Sequence, residues 1–219
     1  SLILKDKEKY GYDYKDIAIL YRSNYLSRDI ENALVRNGIP YKIYGGVKFY
    51  ERKEVKDCLA YLRILVNKED DISLQRVINE PKRGLGDTSL EKFKSIAALN
   101  NTSLYKAIKE NIDLINRSEA RENVSTFINL IEEYSGKNMN SDLVNLLDDL
   151  LADSGYYKML NDQEEQERKE NIRELMNNMT YYENNSSDVS LNGFLQEIAL
   201  FSSADEIDDD DHVSLMTIH

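Results

Sequence analysis

Hydrophobic and polar positions follow a strand pattern near the start of the chain. An unbroken apolar run at 17–21 predicts a strand that is covered on both faces. The apolar stripe at 30–34, with Ser27 as its N-cap, predicts a helix. A second strand is predicted at 41–44. Strand, helix and strand with short links favour a parallel pair of strands joined by a crossover.

From about residue 50 to residue 205 the apolar positions recur with the helical period. Thr88 and Glu91 have the spacing of a capping box, which predicts a helix start. Residues 161–171 hold no apolar side chain and are predicted to be a solvated helix or a loop. After the acidic run 205–211, residues 213–218 are β-prone again. We expect this last strand to pair with the strands before residue 45.

The predicted fold is therefore mostly α, with a helical insertion carried on a small, incomplete, parallel α/β remnant. The predicted boundaries are 1–48 for the first part of the α/β unit, 49–208 for the helical insertion and 209–219 for the returning strand. Because there is no initiator Met and the chain stops in a strand, we expect a truncated fragment.

Charge is divided unevenly between the two halves of the chain. The net charge of -12 excludes a uniformly basic nucleic-acid binder. However, the first 100 residues carry 19 Lys and Arg against 15 Asp and Glu, whereas the rest carry 9 against 25. The first half can therefore face a polyanion while the second half stays in solvent. The acidic run 205–211 lacks the glycine and the ligand spacing of a calcium loop, which favours an extended linker.

The residue inventory excludes several kinds of site. The single cysteine, Cys58, lies in an apolar helical stripe and is expected to be a buried, inert thiol. With only His212 and His219 as histidines, we predict no metal site. We also predict no catalytic residue, because the sequence contains no G-x-x-x-x-G-K-[ST] phosphate loop and no nucleophile–base set. Without a membrane-spanning run or a signal pattern, a cytoplasmic location is expected.

Two segments combine glycines with cations. The first, residues 44–57, includes Gly45, Gly46, Lys48, Phe49 and Arg52. Glycines allow close approach of a ligand, rings offer stacking faces and cations neutralise phosphates. Alternatively, this segment is a tight turn and a hinge helix whose rings lie in the core.

The second segment is the stretch 81–88, which precedes a predicted helix. Its candidate binding residues are Lys82, Arg83, Gly84, Leu85, Gly86 and Thr88. Backbone N–H groups around Leu85, together with the helix dipole, are expected to form a cradle for one phosphate, with the Leu85 side chain as an apolar anchor. An ordinary turn between helices is the alternative.

These segments resemble the UvrD/PcrA/Rep group of superfamily 1 ATP-dependent DNA helicases, in the second half of those proteins. The matching stretches are 16–24, 39–46 with Phe49, 52–57, 60–63, 81–86 and 215–219. The family's Gly-Ile-Gly motif has Leu85 in the middle here, an apolar change of similar volume. Residues 100–205 match the family in character more than in letters.

The resemblance implies that 1–48 and 209–219 belong to the second RecA-like motor domain, 2A, and that 49–208 form its accessory domain, 2B. It implies duplex DNA binding through the Gly-Leu-Gly segment, and single-strand binding through Arg22, Asn24, Thr217 and His219. Gly45, Gly46, Lys48, Phe49 and Arg52 are implied to be hinge or DNA-proximal residues. The parent protein would unwind DNA from 3′ to 5′ in replication or repair.

The same resemblance implies that ATP and Mg²⁺ serve the parent helicase through motifs that this chain lacks, so the fragment alone is expected to be inactive. DNA and the missing N-terminal motor domains are the implied partners. Repair or transcription proteins stay open as further partners. No membrane is expected among the partners. Two alternatives also stay open: a helical protein-docking module that uses its acidic surface, and a fragment of a nuclease-linked relative of these helicases.

Overall fold

A computed structural model of the chain describes residues 2–22, 26–137, 139–163, 165–204 and 211–218, with the backbone alone at 201–204. The chain divides into two units. One combines Ser1–Val55 with Gln196–His219, and the other is the continuous stretch Lys56–Leu195. Helices dominate and a small parallel sheet accompanies them, so the predicted fold class is confirmed.

Eleven α-helices lie within the described residues. They are α1 (Leu2–Tyr10), α2 (Ser27–Arg36), α3 (Lys53–Val66), α4 (Asp71–Val77), α5 (Asp87–Asn100), α6 (Leu104–Glu110), α7 (Ser118–Ser135), α8 (Leu143–Asp153), α9 (Tyr156–Asp162), α10 (Gln166–Asn185) and α11 (Leu191–Ala204). Their apolar stripes have the helical period that the sequence predicts. On α7, for example, Val124, Phe127 and Ile131 are all buried, because positions three and four apart share one face.

Three short strands form the sheet: β1 (Ala18–Tyr21), β2 (Tyr41–Tyr44) and β3 (Val213–Thr217). Their order is β1-β3-β2, and β3 is parallel to both neighbours. The predicted pairing of the last strand with the early strands is confirmed. The predicted direct pairing of β1 with β2 is wrong, because β3 lies between them. A crossover through α2 makes the two strands parallel but does not require them to be neighbours.

One face of the sheet carries the core of this unit. Its buried residues are Tyr21, Leu34, Ile39, Tyr41, Val213 and Leu215. On β1, however, Ala18 is exposed and Leu20 is 56% exposed, so the predicted burial of 17–21 on both faces is wrong. Successive side chains of a strand point to opposite faces, and an unbroken apolar run does not specify that both faces are covered.

The helical unit, α3 to α10 with the start of α11, packs around large aromatic side chains. The ring of Tyr61 on α3 makes edge contacts with Phe127 and Tyr156, with ring centroids 6.2 Å apart in each pair. Such tilted pairs are the favourable aromatic geometry. Cys58 is fully buried on the same helix, as predicted.

Two helix starts differ from the predicted caps. Ser27 is the first residue of α2 instead of its N-cap, and its hydroxyl donates to the Glu31 carboxylate instead of accepting from the backbone. Helix α5 begins at Asp87 with Gly86 as N-cap and has no side-chain cap. Thr88 therefore lies inside the first turn and cannot form the predicted capping box.

Glu132 on α7 joins three segments of the helical unit. Its carboxylate accepts from Lys68 Nζ at 2.7 Å, Lys109 Nζ at 2.8 Å and the Tyr105 hydroxyl at 2.8 Å. The hydrogen bonds from Lys109 and Lys68 lower the pKa of Glu132 from its usual value of 4.5 to about 2. Because these bonds favour the ionised form, the cluster stabilises the folded state only while Glu132 is charged.

Replacing Glu132 with Gln should make the chain less stable than the original at neutral pH. This difference in stability between the two chains should shrink as the pH falls. The folded pKa lies below the unfolded one, so the stabilisation is present above about pH 4.5 and is lost as the pH falls towards 2. Urea unfolding of both chains at a series of pH values measures the difference. Glu133→Gln, at an exposed neighbouring side chain, is the control. A Glu132→Gln difference that does not change with pH contradicts this prediction.

Candidate nucleic-acid interface

The connection between α4 and α5 alternates between exposed and buried residues. We name residues 82–86 the Gly-Leu-Gly loop. Lys82, Gly84 and Gly86 are exposed, whereas Arg83 and Leu85 are buried at 5% and 2% exposure. One side of the loop therefore faces solvent while the other is fixed in the helical core. The expected role of the Leu85 side chain as an apolar anchor agrees with its burial.

The guanidinium of Arg83 is used inside the helical unit. It donates to the Tyr61 hydroxyl at 3.0 Å and to the backbone carbonyls of Val77, Ile78, Pro81 and Ser154. It also lies 4.4 Å from the centroid of the Phe127 ring, which adds a cation–π contact. This placement contradicts the expected contact of Arg83 with a DNA phosphate.

The buried side chain of Tyr61 on α3 supports the Gly-Leu-Gly loop. The sequence did not indicate this role. Its hydroxyl accepts from Arg83 and donates to the carbonyl of Glu80 at 2.5 Å. Burial raises the pKa of this phenol, so the hydroxyl keeps the proton that it donates. The only signal in the sequence was a tyrosine in the apolar stripe of α3.

Two backbone amides of the loop point inward, towards the side chain of Asn79. The amides of Arg83 and Leu85 both donate to Asn79 Oδ1 at 3.3 Å, and Asn79 Nδ2 donates back to the Leu85 carbonyl. The expectation that the Leu85 amide points outward in a phosphate cradle is therefore wrong. The role of Asn79 was also not predicted from the sequence, because there it is a single polar residue after α4 that belongs to no motif.

The two glycines of the loop differ in whether the fold requires glycine at their position. Gly84 has φ +79°, and a Cβ there would lie 3.1 Å from Cβ of Ala120 on α7, so the fold itself requires glycine. Gly86 has φ -72° and ψ 160°, which any residue adopts, and a Cβ there would meet nothing within 4 Å. The fold leaves open space beside Gly86.

This space lies at the start of α5, where three amides have no acceptor among the described residues. They belong to Asp87, Thr88 and Ser89. The first amides of a helix lack intrahelical acceptors, and they carry the positive end of the helix dipole. These amides can bind an anion through backbone donors, and Lys82 is an exposed cation of the adjoining loop.

The predicted single-strand set lies in the other unit. Arg22 directly follows β1 and is exposed, and Thr217 is the half-buried last residue of β3. Tyr21 stands opposite Thr217 in the parallel register, so Arg22 and Thr217 share the carboxyl edge of the sheet. The predicted residues Asn24 and His219 lie outside the described part of the chain.

The predicted hinge segment is exposed in its first half and buried in its second. Gly45 and Gly46 are exposed and Lys48 is half-buried, whereas Phe49 and Arg52 are buried. The guanidinium carbon of Arg52 lies 5.3 Å from the centroid of the Phe49 ring. Phe49 therefore offers no stacking face to a base, as the core alternative for this segment anticipated.

Glu31 fixes this second half to α2 through a buried hydrogen-bond network. Its carboxylate accepts from the Phe49 amide and the Tyr41 hydroxyl at 3.1 Å each, and from the Ser27 hydroxyl. Arg52 Nη2 lies 3.9 Å from the carboxylate and donates to the Ser27 hydroxyl at 2.8 Å. No motif in the sequence indicates that this glutamate is buried.

Within the described residues, no group of three or more His, Cys, Asp and Glu side chains is arranged to hold a metal ion. Most of the acidic run, 205–210, lies outside them. At its end, Asp211 accepts from the Lys15 amide and the Lys7 ammonium, which hold the pKa of this carboxyl below its usual range. None of the described helices combines the length and apolar character needed to cross a bilayer.

Comparison with known proteins gives a match over the full length of the chain. The family described as the UvrD-like helicase C-terminal domain matches residues 1–219. A Staphylococcus aureus protein named ATP-dependent DNA helicase PcrA is 41% identical over 218 residues, and its Staphylococcus epidermidis counterpart is 39% identical. Each match covers 97% of this chain but 30% of the relative, so the chain spans about a third of the length of these relatives.

Proposed function

Since the chain belongs to the UvrD-like helicase C-terminal domain family, we propose that it is the DNA-binding accessory part of an ATP-dependent helicase that unwinds DNA from 3′ to 5′. Residues 1–48 and 209–219 then belong to motor domain 2A, and 49–208 form accessory domain 2B. Repair and replication of DNA are the processes that such a helicase serves.

The exposed side of the Gly-Leu-Gly loop carries this proposal. Lys82, the open space at Gly86 and the three amides at the start of α5 offer donors to a phosphate of the duplex. Such contacts hold the backbone of a duplex and do not read its bases. A helicase that must move along any sequence needs this kind of contact.

The single strand would be contacted at the carboxyl edge of the sheet, by Arg22 and Thr217. Asn24 and His219 belong to the same proposed set. We assign ATP and Mg²⁺ to other parts of the whole helicase, because the sequence has no phosphate loop. Turnover of ATP by the present chain is not expected.

The stretch near 48–54 is proposed to be the first of two connections on which 2B swivels, with 205–212 as the second. Shortly before it, Gly45 has φ +74°, a conformation that glycine adopts without strain. The Glu31 network holds the following residues, Phe49 and Arg52, within the first unit. Any bending between the two units is therefore expected after Arg52.

Replacing Gly86 with Ser tests the duplex site, because one change should raise stability and lower affinity. A serine at this N-cap can accept from the amides of α5 and should stabilise the chain by about a few tenths of a kcal/mol. Since those amides would no longer be available, we expect affinity for a blunt duplex to fall by about 3- to 10-fold. Fluorescence anisotropy with a labelled duplex, at several salt concentrations, measures affinity.

Gly86→Ala is the matched control, because it adds bulk without a capping oxygen. It should weaken duplex binding less than Gly86→Ser and should not stabilise the helix. The unchanged chain should bind weakly, with a slope of about -2 to -3 in a plot of log affinity against log salt. The duplex proposal fails if both variants bind the duplex as the original chain does.

A further inference from the structure

Asn79 holds the Gly-Leu-Gly loop through one side-chain amide group. Its Oδ1 accepts from the backbone amides of Arg83 and Leu85 at 3.3 Å each, and its Nδ2 donates to the carbonyl of Leu85. The side chain lies two residues after the end of α4 and reaches across to the last residues of the loop. Three hydrogen bonds thus connect a helix end to the backbone of the loop.

The partners of Asn79 define which end of its amide faces which group. Two N–H donors meet the oxygen and one carbonyl meets the nitrogen, so the reverse orientation would set donor against donor. A carboxylate offers the acceptor but no donor, and an apolar side chain offers neither. Only a side-chain amide of this length satisfies all three backbone groups.

These bonds also determine what the loop presents to solvent. The amides of Arg83 and Leu85 are directed inward, so the residues between and beside them, Lys82, Gly84 and Gly86, are the exposed ones. We infer that Asn79 is the positioning residue of the duplex-binding surface: it orders the loop so that Lys82 and the open space at Gly86 are presented together with the start of α5.

This inference rests on the proposed duplex binding, but its structural half can be tested without DNA. Arg83 supports the loop through carbonyls of α4 and α8, whereas Asn79 bonds the loop backbone itself. Loss of Asn79 should therefore free the loop while the helices stay folded. Hydrogen exchange of individual amides distinguishes these two effects.

The experiment compares the 219-residue chain with Asn79→Leu, Asn79→Asp and a control, Asn67→Ala. Asn67 Oδ1 accepts from the Glu69 amide in the turn after α3, so the control removes a similar bond elsewhere. In Asn79→Leu, exchange at the Arg83 and Leu85 amides should quicken by about 10-fold or more, with helix-core exchange unchanged. Affinity for the labelled duplex should fall by about 5-fold or more, because a mobile loop must be ordered on binding. The control should bind as the original chain does.

Asn79→Asp keeps an acceptor for both amides and should keep their protection within about 3-fold of the original, even if Asn79→Leu folds poorly. Unchanged protection in Asn79→Leu, or unchanged duplex affinity despite lost protection, overturns the inference. If the original chain itself does not bind the duplex, the proposed function fails. The exchange result still decides whether Asn79 orders the loop.

Discussion

Replacing Arg83 with Met is expected to lower the free energy of unfolding of the helical unit by about 2–4 kcal/mol. Methionine keeps much of the buried stem but removes the charged donor from the Tyr61 hydroxyl and from four backbone carbonyls. Buried acceptors that lose a charged donor regain no water, which makes the loss large. Urea unfolding followed by tyrosine fluorescence measures it, since the chain has 15 Tyr and no Trp.

Lys82→Met is the matched control, at the neighbouring exposed position. Its stability should stay within about 0.5 kcal/mol of the original, while its duplex affinity and salt dependence fall. If Arg83 contacted DNA directly, Arg83→Met would instead keep its stability and lose only affinity. A charge-reversal test of the protein-docking alternative should therefore use Lys82 alone, because reversal at Arg83 would unfold the site.

Replacing Glu31 with Ala is expected to destabilise the unit that contains the sheet by about 3–5 kcal/mol. The change removes the acceptor shared by Ser27, Tyr41 and the Phe49 amide, and it removes the carboxylate beside the Arg52 guanidinium. A buried charge that loses its counter-charge costs more than a surface pair does. Hydrogen-exchange mass spectrometry of peptides from residues 26–52 reports on this unit separately.

Asp29→Asn, two residues earlier on the exposed side of α2, is the control and should change stability by no more than about 0.5 kcal/mol. Glu31→Gln keeps an acceptor oxygen without the charge, so its effect should lie between the two. Equal exchange in Glu31→Ala and the original chain would show that the network adds nothing to stability.

Helices and strands could be predicted from the period of their apolar positions, because this period depends only on which side chains are buried. The stripe on α7 and the last strand, at 213–217, formed as expected, and the family resemblance of the loop segments matched the full-length family result. Sheet order was not predictable in the same way. A crossover connection implies that β1 and β2 run in parallel, but it does not determine whether a third strand lies between them.

The orientation of the candidate site was predicted incorrectly in part, and its binding of DNA stays a prediction. A sequence shows that Lys82 and Arg83 are cations, yet it does not show that one faces solvent and the other a carbonyl-lined interior. That difference depends on Tyr61 and on Ser154, far from the loop in sequence. Asn79 was missed for the same reason, because its partners are backbone groups, which leave no pattern of residue types.

The position of β3 at the centre of the sheet has a consequence for biosynthesis. β1 and β2 make no ladder with each other, and the strand that joins them is translated about 170 residues after β2, which takes roughly 10–30 s at typical rates of synthesis. The helical unit is continuous in sequence and can acquire its structure on the ribosome during that interval. The sheet can therefore close only after the helical unit has had time to fold.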